Sequence, residues 1–598
     1  MFSAQGASAA TAPVGGTETV IVEGTAGGAA LVRSAVERLG GTVQARLDII
    51  DGVRATVPVG GVALLAGAPG VLEVSPDSTL VPLKEKWGDD TTGQGVQATA
   101  ATGTWSSAGD LGSMYTAAKT IGAQAVWAKK DPNNTSQTLT GHGVGVALID
   151  TGVAPVEGLL TAGKIVNGPD LSFESQSVNT RYVDGFGHGT HMAGIIAGKD
   201  TAVKTGKESD PANFVGIAPD ATIVNVKVAA ADGGVDVSQV IAGIDWVVTN
   251  KAKNNIRVIN LSYGTESTQS AALDPLAHAV ESAWRNGIVV VVAAGNDGES
   301  GTTPLTMPAI DPFVIAVGSV DYEATGLPAA LRVGAWTSTG TAARRPDLVA
   351  PGKSVVSLRV PGSFADVSHP EGLIAGDTAR WLFRGTGTSQ SAAVVSGAIA
   401  LLLERNPALT PDQVKGLLKA NADPLIGDPS AVQGSGEIDI NRAVVQLETG
   451  KAIPAYTQTA VHSTGLGSLD ASRGASFVTD PATLTTLRGE QDVFGVAWNP
   501  ATWAPASTAG TAWVGGTWRG SAWITTPALV ASTTLAASTT TATATGWASR
   551  SWSGVLWSSR SWSTMTFLSR SWSGSDWTSR SWSADHWDSR SWSTDFAW

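Results

Sequence analysis

Between residues 116 and 447, short apolar runs alternate with longer segments whose apolar residues recur at helical spacing. Short runs that are apolar at nearly every position are typical of strands buried on both faces of a sheet. The alternation therefore predicts an α/β fold with a mainly parallel sheet between helices. The predicted strands are 144–149, 222–228, 258–260, 288–293 and 314–317, and the predicted helices are 188–198, 237–250, 272–286 and 389–405.

Residues 17–83 carry a different pattern, with a helical stripe at 29–39 and a shorter one at 59–66. Strands are predicted at 19–23, 43–50, 52–57 and 71–74, and the middle two meet at Asp51-Gly52, a strong hairpin signal. The order βαββαβ predicts a small ferredoxin-like α+β domain. Residues 84–115 are rich in Gly, Thr, Ser and Ala without periodicity, and we expect them to form an exposed junction.

Tryptophan is unevenly distributed, because 15 of the 22 Trp residues lie between Trp498 and Trp598. Their spacing is mostly five residues, and the sequence SRSWS recurs every ten residues after residue 547. This spacing fits neither a helix nor a single strand, and it favours stacked short strands joined by turns. For 547–598 two interpretations stay open: an irregular or β-rich repeat module that associates with a surface, and a low-complexity appendage. Residues 448–546 are predicted to be a C-terminal extension with a Thr-rich linker.

Composition excludes several classes of protein. The chain has no Cys, which rules out disulfides, thiolate catalysis and Cys-ligated zinc. A net charge of −12 argues against a nucleic-acid partner. No apolar run reaches the roughly 18 residues of a membrane span, and the first residues lack the basic start and apolar core of an intact signal peptide.

The first motif that carries chemistry is Asp150-Thr-Gly152, directly after the predicted strand 144–149. Because sites in open α/β sheets form at the carboxyl ends of strands, Asp150 is a candidate site residue. An ordinary turn Asp accounts for the local sequence equally well. Aspartic proteases also use Asp-Thr-Gly, but they need two such carboxylates close together, and this chain has one Asp-Thr-Gly.

A second motif is a Gly-rich loop that leads into His188 and His191 at the start of a predicted helix. A metal site is weakly supported, since the HExxH pattern supplies a Glu and places its His residues four apart rather than three. The simpler interpretation is a histidine in the core whose ring nitrogens are hydrogen-bonded within the protein.

The third motif places Ser389 at the start of a long apolar helix. A serine there is commonly a helix N-cap. The GxSxG hydrolase elbow is not met, because Ser391 stands where the second Gly is required, and that fold also places Ser before His in the chain.

Together, Asp150, His188 and Ser389 follow one another in the chain order of the subtilisin triad. On these three motifs, residues 116–447 resemble the subtilisin-like serine peptidases (subtilases), which implies a subtilisin-like fold and hydrolysis of peptide bonds. The resemblance implies that Ser389 is the nucleophile, that His188 is the general base and acid, and that Asp150 orients the imidazole. Backbone N–H groups at the start of the helix would stabilise the oxyanion.

The same resemblance extends to substrate binding. Asn296 matches the family Asn that completes the oxyanion hole. The segment 262–264, Ser-Tyr-Gly, matches the family's Ser-Leu-Gly substrate strand with Tyr in place of Leu, and 233–234 matches the second substrate strand more loosely. Residues 293–295 are implied to form a wall of the pocket for the residue before the cleaved bond. The residues implied to bind substrate are Gly233, Gly234, Ser262, Tyr263, Gly264, Ala293, Ala294 and Gly295.

Around the nucleophile the chain departs from the family pattern. The family usually reads Gly-Thr-Ser-Met-Ala-Ala-Pro-His, whereas Gln390 follows Ser389 here, Ala393 stands in place of the Pro and Val394 follows it. Because the catalytic atoms are intact, we expect activity to be retained.

The 17–83 pattern is similar to subtilase propeptides, which assist folding and inhibit the enzyme, and self-cleavage is then expected within 80–115. The resemblance implies a secreted or cell-surface enzyme that acts on proteins or peptides, needs no cofactor for catalysis, and has its own propeptide as inhibitor. Subtilases often bind structural calcium, but no motif here places a calcium site. The alternative is a catalytically quiet surface or binding protein on the same scaffold, acting through its tail.

Overall fold

The computed structural model describes residues 17–76, 105–522 and 558–559, apart from short gaps. The gaps are 26, 48–50, 176–179, 299–302, 323–330, 378, 380, 454–455, 457, 475–477 and 481–484. The chain divides into two units, Met1–Glu85 and Lys86–Trp598, and each is described by itself. Most of the predicted junction (84–115) and of the predicted tail (547–598) lies outside the described residues.

The first unit is an antiparallel sheet with the strand order β2–β3–β1–β4 and two helices. Its core is formed by valines, two alanines and one leucine, including Val20, Val32, Val57 and Leu65. The βαββαβ order predicted from the sequence is confirmed. Its elements are β1 (Thr17–Gly24), α1 (Ala29–Arg38), β2 (Thr42–Leu47), β3 (Gly52–Pro58), α2 (Val62–Ala66) and β4 (Val71–Pro76).

The second unit contains the predicted α/β alternation. Its strands are β5 (Gly145–Asp150), β6 (Ile165–Asp170), β7 (Thr222–Lys227), β8 (Ile256–Leu261), β9 (Val289–Ala293), β10 (Ile315–Asp321), β11 (Arg332–Val333), β12 (Leu348–Pro351), β13 (Val355–Leu358), β14 (Leu382–Gly385), β15 (Val478–Asp480), β16 (Thr485–Thr486), β17 (Trp513–Val514), β18 (Thr517–Trp518), β19 (Ser521–Ala522) and β20 (Ser558–Ser559). Its helices are α3 (Met114–Thr120), α4 (Ala123–Trp127), α5 (His188–Ala197), α6 (Val237–Asn250), α7 (Pro275–Arg285), α8 (Phe364–Ser368), α9 (Thr388–Arg405), α10 (Pro411–Asn421), α11 (Ser430–Gln433), α12 (Ile440–Glu448), α13 (Leu469–Arg473) and α14 (Pro500–Thr508).

The central sheet has the order β11–β10–β9–β8–β5–β7–β6, and β12 also pairs with β10. The pairs are parallel except β10–β11, so the predicted mainly parallel sheet is confirmed. Every residue of β9 is buried, because helices cover both faces of the sheet. Helix α9 packs on β8, β9 and β10 on one face. On the other face, α6 packs on β5 and α7 packs on β9. The strands β5, β8 and β9 are adjacent, and their carboxyl ends therefore meet at one edge.

Helix α7 begins later than the predicted 272–286, at Pro275. The Asp274 carboxylate accepts hydrogen bonds from the N–H groups of Leu276 (2.8 Å) and Ala277 (3.3 Å), which makes it the N-cap. Proline suits the first helical position because its missing N–H has no partner to lose there. The apolar stripe extends past this boundary, but the cap and the proline set where the helix starts.

The described residues of 463–522, which we call the clasp, pack across α6 and α7. Their main anchor is the buried Asp245 carboxylate on α6, which accepts hydrogen bonds from Trp503 Nε1 (2.8 Å), Trp518 Nε1 (3.0 Å) and Ser507 Oγ (2.6 Å). On α7, His278 Nδ1 lies 2.7 Å from the Ser463 carbonyl oxygen. The described part of the predicted extension 448–546 therefore shares the core of the α/β unit.

Within the clasp, the five-residue step from Trp513 to Trp518 spans two short antiparallel strands, whereas Trp503 lies on helix α14, where the predicted strands are wrong. Trp513 and Trp518 are partners across the β17–β18 pair, and β18 pairs with β19 in turn. The Arg519 guanidinium lies 4.5 Å from the ring centre of Trp498 and 5.3 Å from that of Trp518, as in cation–π contacts. For the tail, stacked strands stay a prediction.

The described residues contain no helix that is long and apolar enough to cross a membrane.

Two buried carboxyl groups, Glu281 on α7 and Asp311, make a pH-dependent contribution to stability. Burial, followed by the negative charge of Glu281, raises the pKa of Asp311 to about 8, while Arg344 and Lys415 oppose that rise. The unfolded chain loses this proton near pH 4, so the folded state binds more protons between about pH 4 and pH 8. The group's contribution to the free energy of unfolding therefore falls as the pH rises through that range.

We accordingly expect Asp311→Asn to be more stable relative to the parent at pH 8 than at pH 5, by about 3–4 kcal/mol. The amide oxygen can still accept the Phe313 N–H, which lies 2.8 Å from Oδ1. Guanidinium unfolding at both pH values, with Ser389→Ala in both proteins to prevent self-digestion, measures the difference. Equal differences at the two pH values would contradict the expectation.

Candidate active site

Asp150 and His188 form a buried carboxylate–imidazole pair. Asp150 is the last residue of β5 and His188 the first of α5, and their side chains are 1% and 0% exposed. His188 Nδ1 lies 2.8 Å from Asp150 Oδ1 and 3.0 Å from Oδ2. The Thr151 N–H also donates to Oδ1 at 2.7 Å. In this arrangement a proton on Nδ1 is directed at the carboxylate, which leaves Nε2 as the basic nitrogen of the neutral ring.

Asp184 organises the loop that delivers His188, a role that the sequence did not reveal. Its Oδ2 accepts the N–H of Thr190 at 2.7 Å. Its Oδ1 accepts the N–H groups of Phe186 (3.0 Å) and Gly187 (2.7 Å) and the hydroxyl of Thr151 (2.8 Å). Burial raises the pKa of Asp184, while these donors lower it. Asp184 thus ties the end of β5 to the start of α5.

Replacing Asp184 with Asn is expected to lower kcat/KM for peptides about 100-fold, because the NH2 group must face one of these donors and displace the loop. Peptide hydrolysis and thermal unfolding of the purified variant measure the effect. Asp200→Asn is the matched control, since Asp200 is a loop carboxylate that accepts the Phe214 N–H at 2.7 Å, away from the 184–191 segment. A loss of kcat/KM no larger than that of the control would contradict the positioning role.

Ser389 is the second residue of α9 and is 1% exposed. The helix continues without interruption from Thr388 to Arg405, so Gln390, Ala393 and Val394 do not interrupt it, although they depart from the subtilase pattern. The first N–H groups of a helix lack intrahelical acceptors and carry partial positive charge. Ser389 therefore lies at the positive end of the α9 dipole.

Asn296 follows β9 and is buried beside the start of α9. Its Oδ1 accepts both the backbone N–H and the hydroxyl of Thr388, each at 2.9 Å. Two donors on the oxygen fix the amide orientation, so the Nδ2 group is turned away from Thr388. Thr388 also accepts the Gly295 N–H at 3.3 Å, and no motif in the sequence indicated this orienting role.

The segments predicted to bind substrate continue from the same edge of the sheet. Residues 262–264 follow β8, residues 293–295 run off the end of β9, and the Ser262 hydroxyl lies 3.5 Å from the Ser389 carbonyl oxygen. A Cβ on Gly264 would overlap the Thr306 side chain, so only glycine fits. Gly295 takes a φ of 108°. Tyr263 is fully buried, and its pKa is raised well above the usual value by burial and then by the charge of Asp236.

Residues 233–234 form the other segment, just before α6. Gly233 takes a φ of 79°, and its N–H donates to the Ala230 carbonyl at 2.9 Å. The Gly234 carbonyl accepts the Ala230 N–H at 3.2 Å, which closes a tight turn. The Phe186 ring stands about 3.2 Å from where a Gly233 Cβ would be, so this turn packs on the loop that precedes His188.

His188 and His191, the two residues considered as metal ligands, each face a group of the protein itself. His188 Nδ1 faces Asp150, and His191 Nε2 lies 3.3 Å from the Phe383 carbonyl oxygen. Burial, then the neighbouring His188, lowers the pKa of His191 to about 3, so this ring is neutral. Among the described residues, no group of three or more His, Asp or Glu side chains is arranged to hold a metal ion.

A carboxylate–imidazole pair and a helix-borne serine on a parallel α/β sheet define the class of serine hydrolases. A sequence model of the subtilase family matches residues 141–443, half of the chain, and the chain belongs to that family. A model described as "Putative peptidase inhibitor domain" matches residues 7–77. The protein is thus a serine endopeptidase of the subtilase family that carries a propeptide-like domain.

Two curated proteases are similar to this chain in sequence. Serine protease AprX of Bacillus subtilis (strain 168) is 33% identical over 323 residues, which cover 53% of this chain and 69% of that protein. Subtilisin DY of Bacillus licheniformis is 34% identical over 310 residues, covering 52% of this chain and 93% of that protein. Among solved structures, fervidolysin from Fervidobacterium pennivorans, a keratinolytic enzyme related to subtilisin, aligns with a TM-score of 0.44 at 22% identity, covering 79% of this chain and 64% of that one.

Proposed function

We propose that the chain is a self-processing endopeptidase whose catalytic groups are Ser389, His188 and Asp150. The observation that carries this proposal is the buried His188–Asp150 contact of 2.8 Å at the edge of the sheet where Ser262 reaches the backbone of Ser389. The pair fixes which imidazole nitrogen carries the proton, and this is the requirement for a histidine that must accept a proton from serine.

In the proposed reaction, Ser389 Oγ attacks the carbonyl carbon of the scissile bond while His188 Nε2 takes the hydroxyl proton. The carbonyl electrons move to oxygen, and the Ser389 N–H and Asn296 Nδ2 donate to that oxyanion. His188 then gives the proton to the leaving amine as the C–N bond breaks. Water repeats these steps on the acyl-enzyme and releases the acid. Side chains and backbone supply every group, so no cofactor is needed for catalysis.

The substrate is proposed to lie as an extended strand between 233–234 and 262–264. This mode of binding takes its affinity from main-chain hydrogen bonds. At 233–234 the Gly233 N–H, the Gly234 N–H and the Gly234 carbonyl already bond Ala230 or Asp232, so we propose that the peptide pairs there with the Gly233 carbonyl. The Ala293, Ala294 and Gly295 backbone would border the pocket for the residue before the cleaved bond. Ala293 and Ala294 have only methyl side chains and Gly295, with a φ of 108°, has none, so little side-chain volume enters this pocket.

Labelling with a fluorophosphonate tests the assignment of the nucleophile. The reagent forms a bond from Ser389 Oγ to phosphorus as fluoride leaves and His188 takes up the proton. Mass spectrometry of the processed protein should locate the adduct on Ser389. Absence of the adduct from processed, folded protein would favour the alternative of a catalytically quiet binding protein.

The N-terminal unit is proposed to act as an inhibitory propeptide that the enzyme removes by cutting within 80–115. The βαββαβ unit and the inhibitor-domain match over 7–77 support this role. N-terminal sequencing of the wild type and of Ser389→Ala tests it: the wild type should begin within or after 80–115, and the variant should retain the first unit. An identical shortened start in both proteins would refute self-processing.

We further propose that the enzyme acts after secretion, with the 547–598 repeats contributing to association with the cell surface. An endopeptidase that carries its own inhibitor domain can leave the cell in an inactive form and be activated afterwards. Activity assays on culture medium, washed cells and cell lysate, with and without residues 547–598, test both points. Activity confined to the lysate would overturn secretion, and an unchanged distribution after truncation would overturn the role of the tail.

A further inference from the structure

The clasp reaches the edge of the sheet through one short stretch, residues 471–474, which we call the brace. Arg473 is fully buried, and its Nε donates to Asp236 Oδ1 at 2.6 Å while Nη2 lies 3.4 Å from Oδ2. The guanidinium also donates to the carbonyl oxygens of Gly489 (2.8 Å) and Gln491 (2.5 Å). A planar fork with these acceptors holds the guanidinium in one orientation, which an ammonium cannot reproduce.

Asp236 is the point at which the 233–234 segment enters α6. Its Oδ2 accepts the Ser238 N–H at 2.9 Å, and its own N–H donates to Gln239 Oε1 at 2.6 Å, forming a capping box. Arg473 therefore binds a carboxylate that lies two residues after Gly234 and is already fixed to the helix. Any shift of Arg473 is transmitted to the end of this substrate segment.

The brace also holds the other substrate segment. The hydroxyl of Thr265, the residue after Gly264, donates to the Ser472 carbonyl at 2.7 Å, and the Thr268 N–H donates to the Ala471 carbonyl at 3.1 Å. Gly474 takes a φ of 59°, and a Cβ there would overlap the Glu266 carbonyl oxygen. The backbone of 471–474 thus lies directly against 265–268.

Tyr263 links the two sets of contacts. Its buried side chain feels the charges of Asp236, Arg473 and Asp274. Asp274, the N-cap of α7, in turn accepts the Ser472 hydroxyl at 3.0 Å. The pKa of the central residue of the 262–264 segment therefore responds to the same ion pair that holds the 233–234 segment.

We propose that the brace, with Arg473 as the positioning residue, sets the separation of the two substrate segments and so determines how well extended peptides bind. The inference rests on the proposed function. A peptide that pairs on both sides becomes the middle strand of three, so its neighbours must lie about 9–10 Å apart. Hydrogen bonds tolerate only a few tenths of an ångström, so loss of the brace weakens pairing on both sides.

Kinetics of Arg473→Gln test this proposal. For a peptide of about eight residues we expect KM to rise at least tenfold, whereas kcat/KM for a small acyl ester, too short to reach either segment, should change less than twofold. Arg473→Lys should restore little of the peptide affinity, since lysine keeps the positive charge but not the planar guanidinium group. Thr265→Val removes one hydrogen bond without changing the side-chain shape. It should also raise KM for the peptide, but by less than Arg473→Gln.

Ser507→Ala is the matched control, because it also removes one buried hydrogen bond between the clasp and a helix carboxylate, at Asp245, away from the substrate segments. It should leave the ratio of peptide to ester activity unchanged. An equal loss on both substrates in Arg473→Gln, or the same profile in the control, would overturn the proposal.

Hydrogen exchange tests the brace without requiring catalysis. In the Ser389→Ala background, amides of 230–236 and 262–268 should exchange at least tenfold faster with Arg473→Gln and at an unchanged rate with Ser507→Ala. Unchanged exchange in those segments with Arg473→Gln overturns the brace, even if the parent protein with Ser389 intact is active. Faster exchange, combined with failure of that parent protein to take up the fluorophosphonate, supports the brace and rejects the proposed function instead.

Discussion

Peptide hydrolysis by Ser389→Ala is expected to fall about 10⁶-fold in kcat, the size of loss known when subtilisin itself is deprived of its nucleophile. Alanine removes the only atom that forms the acyl bond, while the oxyanion donors and substrate segments stay in place. Some acceleration over water should therefore persist, together with nearly unchanged substrate binding. Steady-state kinetics on a chromogenic peptide measure kcat, and binding of a product peptide measures affinity.

Ser391→Ala is the matched control for this experiment. Ser391 lies two residues further along α9, is buried, and donates its hydroxyl to the Ala350 carbonyl at 3.0 Å. Its loss removes one hydrogen bond and should lower kcat less than tenfold. If Ser391→Ala were inactive and Ser389→Ala active, the nucleophile would be misassigned.

The order of elements was predictable from local sequence, and the candidate site residues were proposed from the same local patterns. Asp150 and Ser389 stand next to runs whose apolar pattern already specifies a buried strand and a buried helix, and His188 follows a Gly-rich loop. Strand order then brings three strand ends together: β5, β8 and β9 are neighbours in the parallel sheet, so Asp150 and the segments 262–264 and 293–295 share one edge. Helix boundaries were less predictable, since the start of α7 depends on Asp274 rather than on the apolar stripe.

The contacts that support the site were not predictable, because each joins residues far apart in the chain. Arg473 and Asp236 are 237 residues apart, and Trp503 and Asp245 are 258 apart. Nothing around Arg473 distinguishes it from a solvated arginine until the fold places a buried carboxylate beside it. Asp184 is different, since its place in the Gly-rich loop was visible, but an acidic loop residue alone does not reveal that it accepts four hydrogen bonds.

The spacing of tryptophans shows the same limit. Trp498, Trp503, Trp513 and Trp518 share the period of the 547–598 repeats, so the sequence suggested one C-terminal region. These four are buried, because Asp245 on α6 accepts the indole N–H groups of Trp503 and Trp518 and draws the segment into the core. The same period therefore accompanies a helix at Trp503 and short strands at Trp513 and Trp518, and one buried acceptor joins both to α6.

Asp150→Asn is expected to lower kcat about 10⁴-fold at neutral pH. The Thr151 N–H donates to Oδ1 at 2.7 Å, so the amide oxygen takes that position and the NH2 group takes the position of Oδ2, 3.0 Å from His188 Nδ1. A donor facing Nδ1 favours the tautomer with its proton on Nε2. That nitrogen then cannot accept the Ser389 proton, and the imidazolium that forms during attack loses its counter-charge.

A wrong tautomer of His188 predicts a result that simple destabilisation of the fold does not. Asp150→Asn should keep its thermal midpoint within a few degrees and bind peptide normally, yet react with the fluorophosphonate about as slowly as it cleaves peptide, because both reactions need proton transfer to His188. Asp200→Asn, the same chemical change at a half-buried loop carboxylate, should retain wild-type rates in both. Normal labelling together with lost peptide cleavage would place the role of Asp150 after acylation and contradict the tautomer argument.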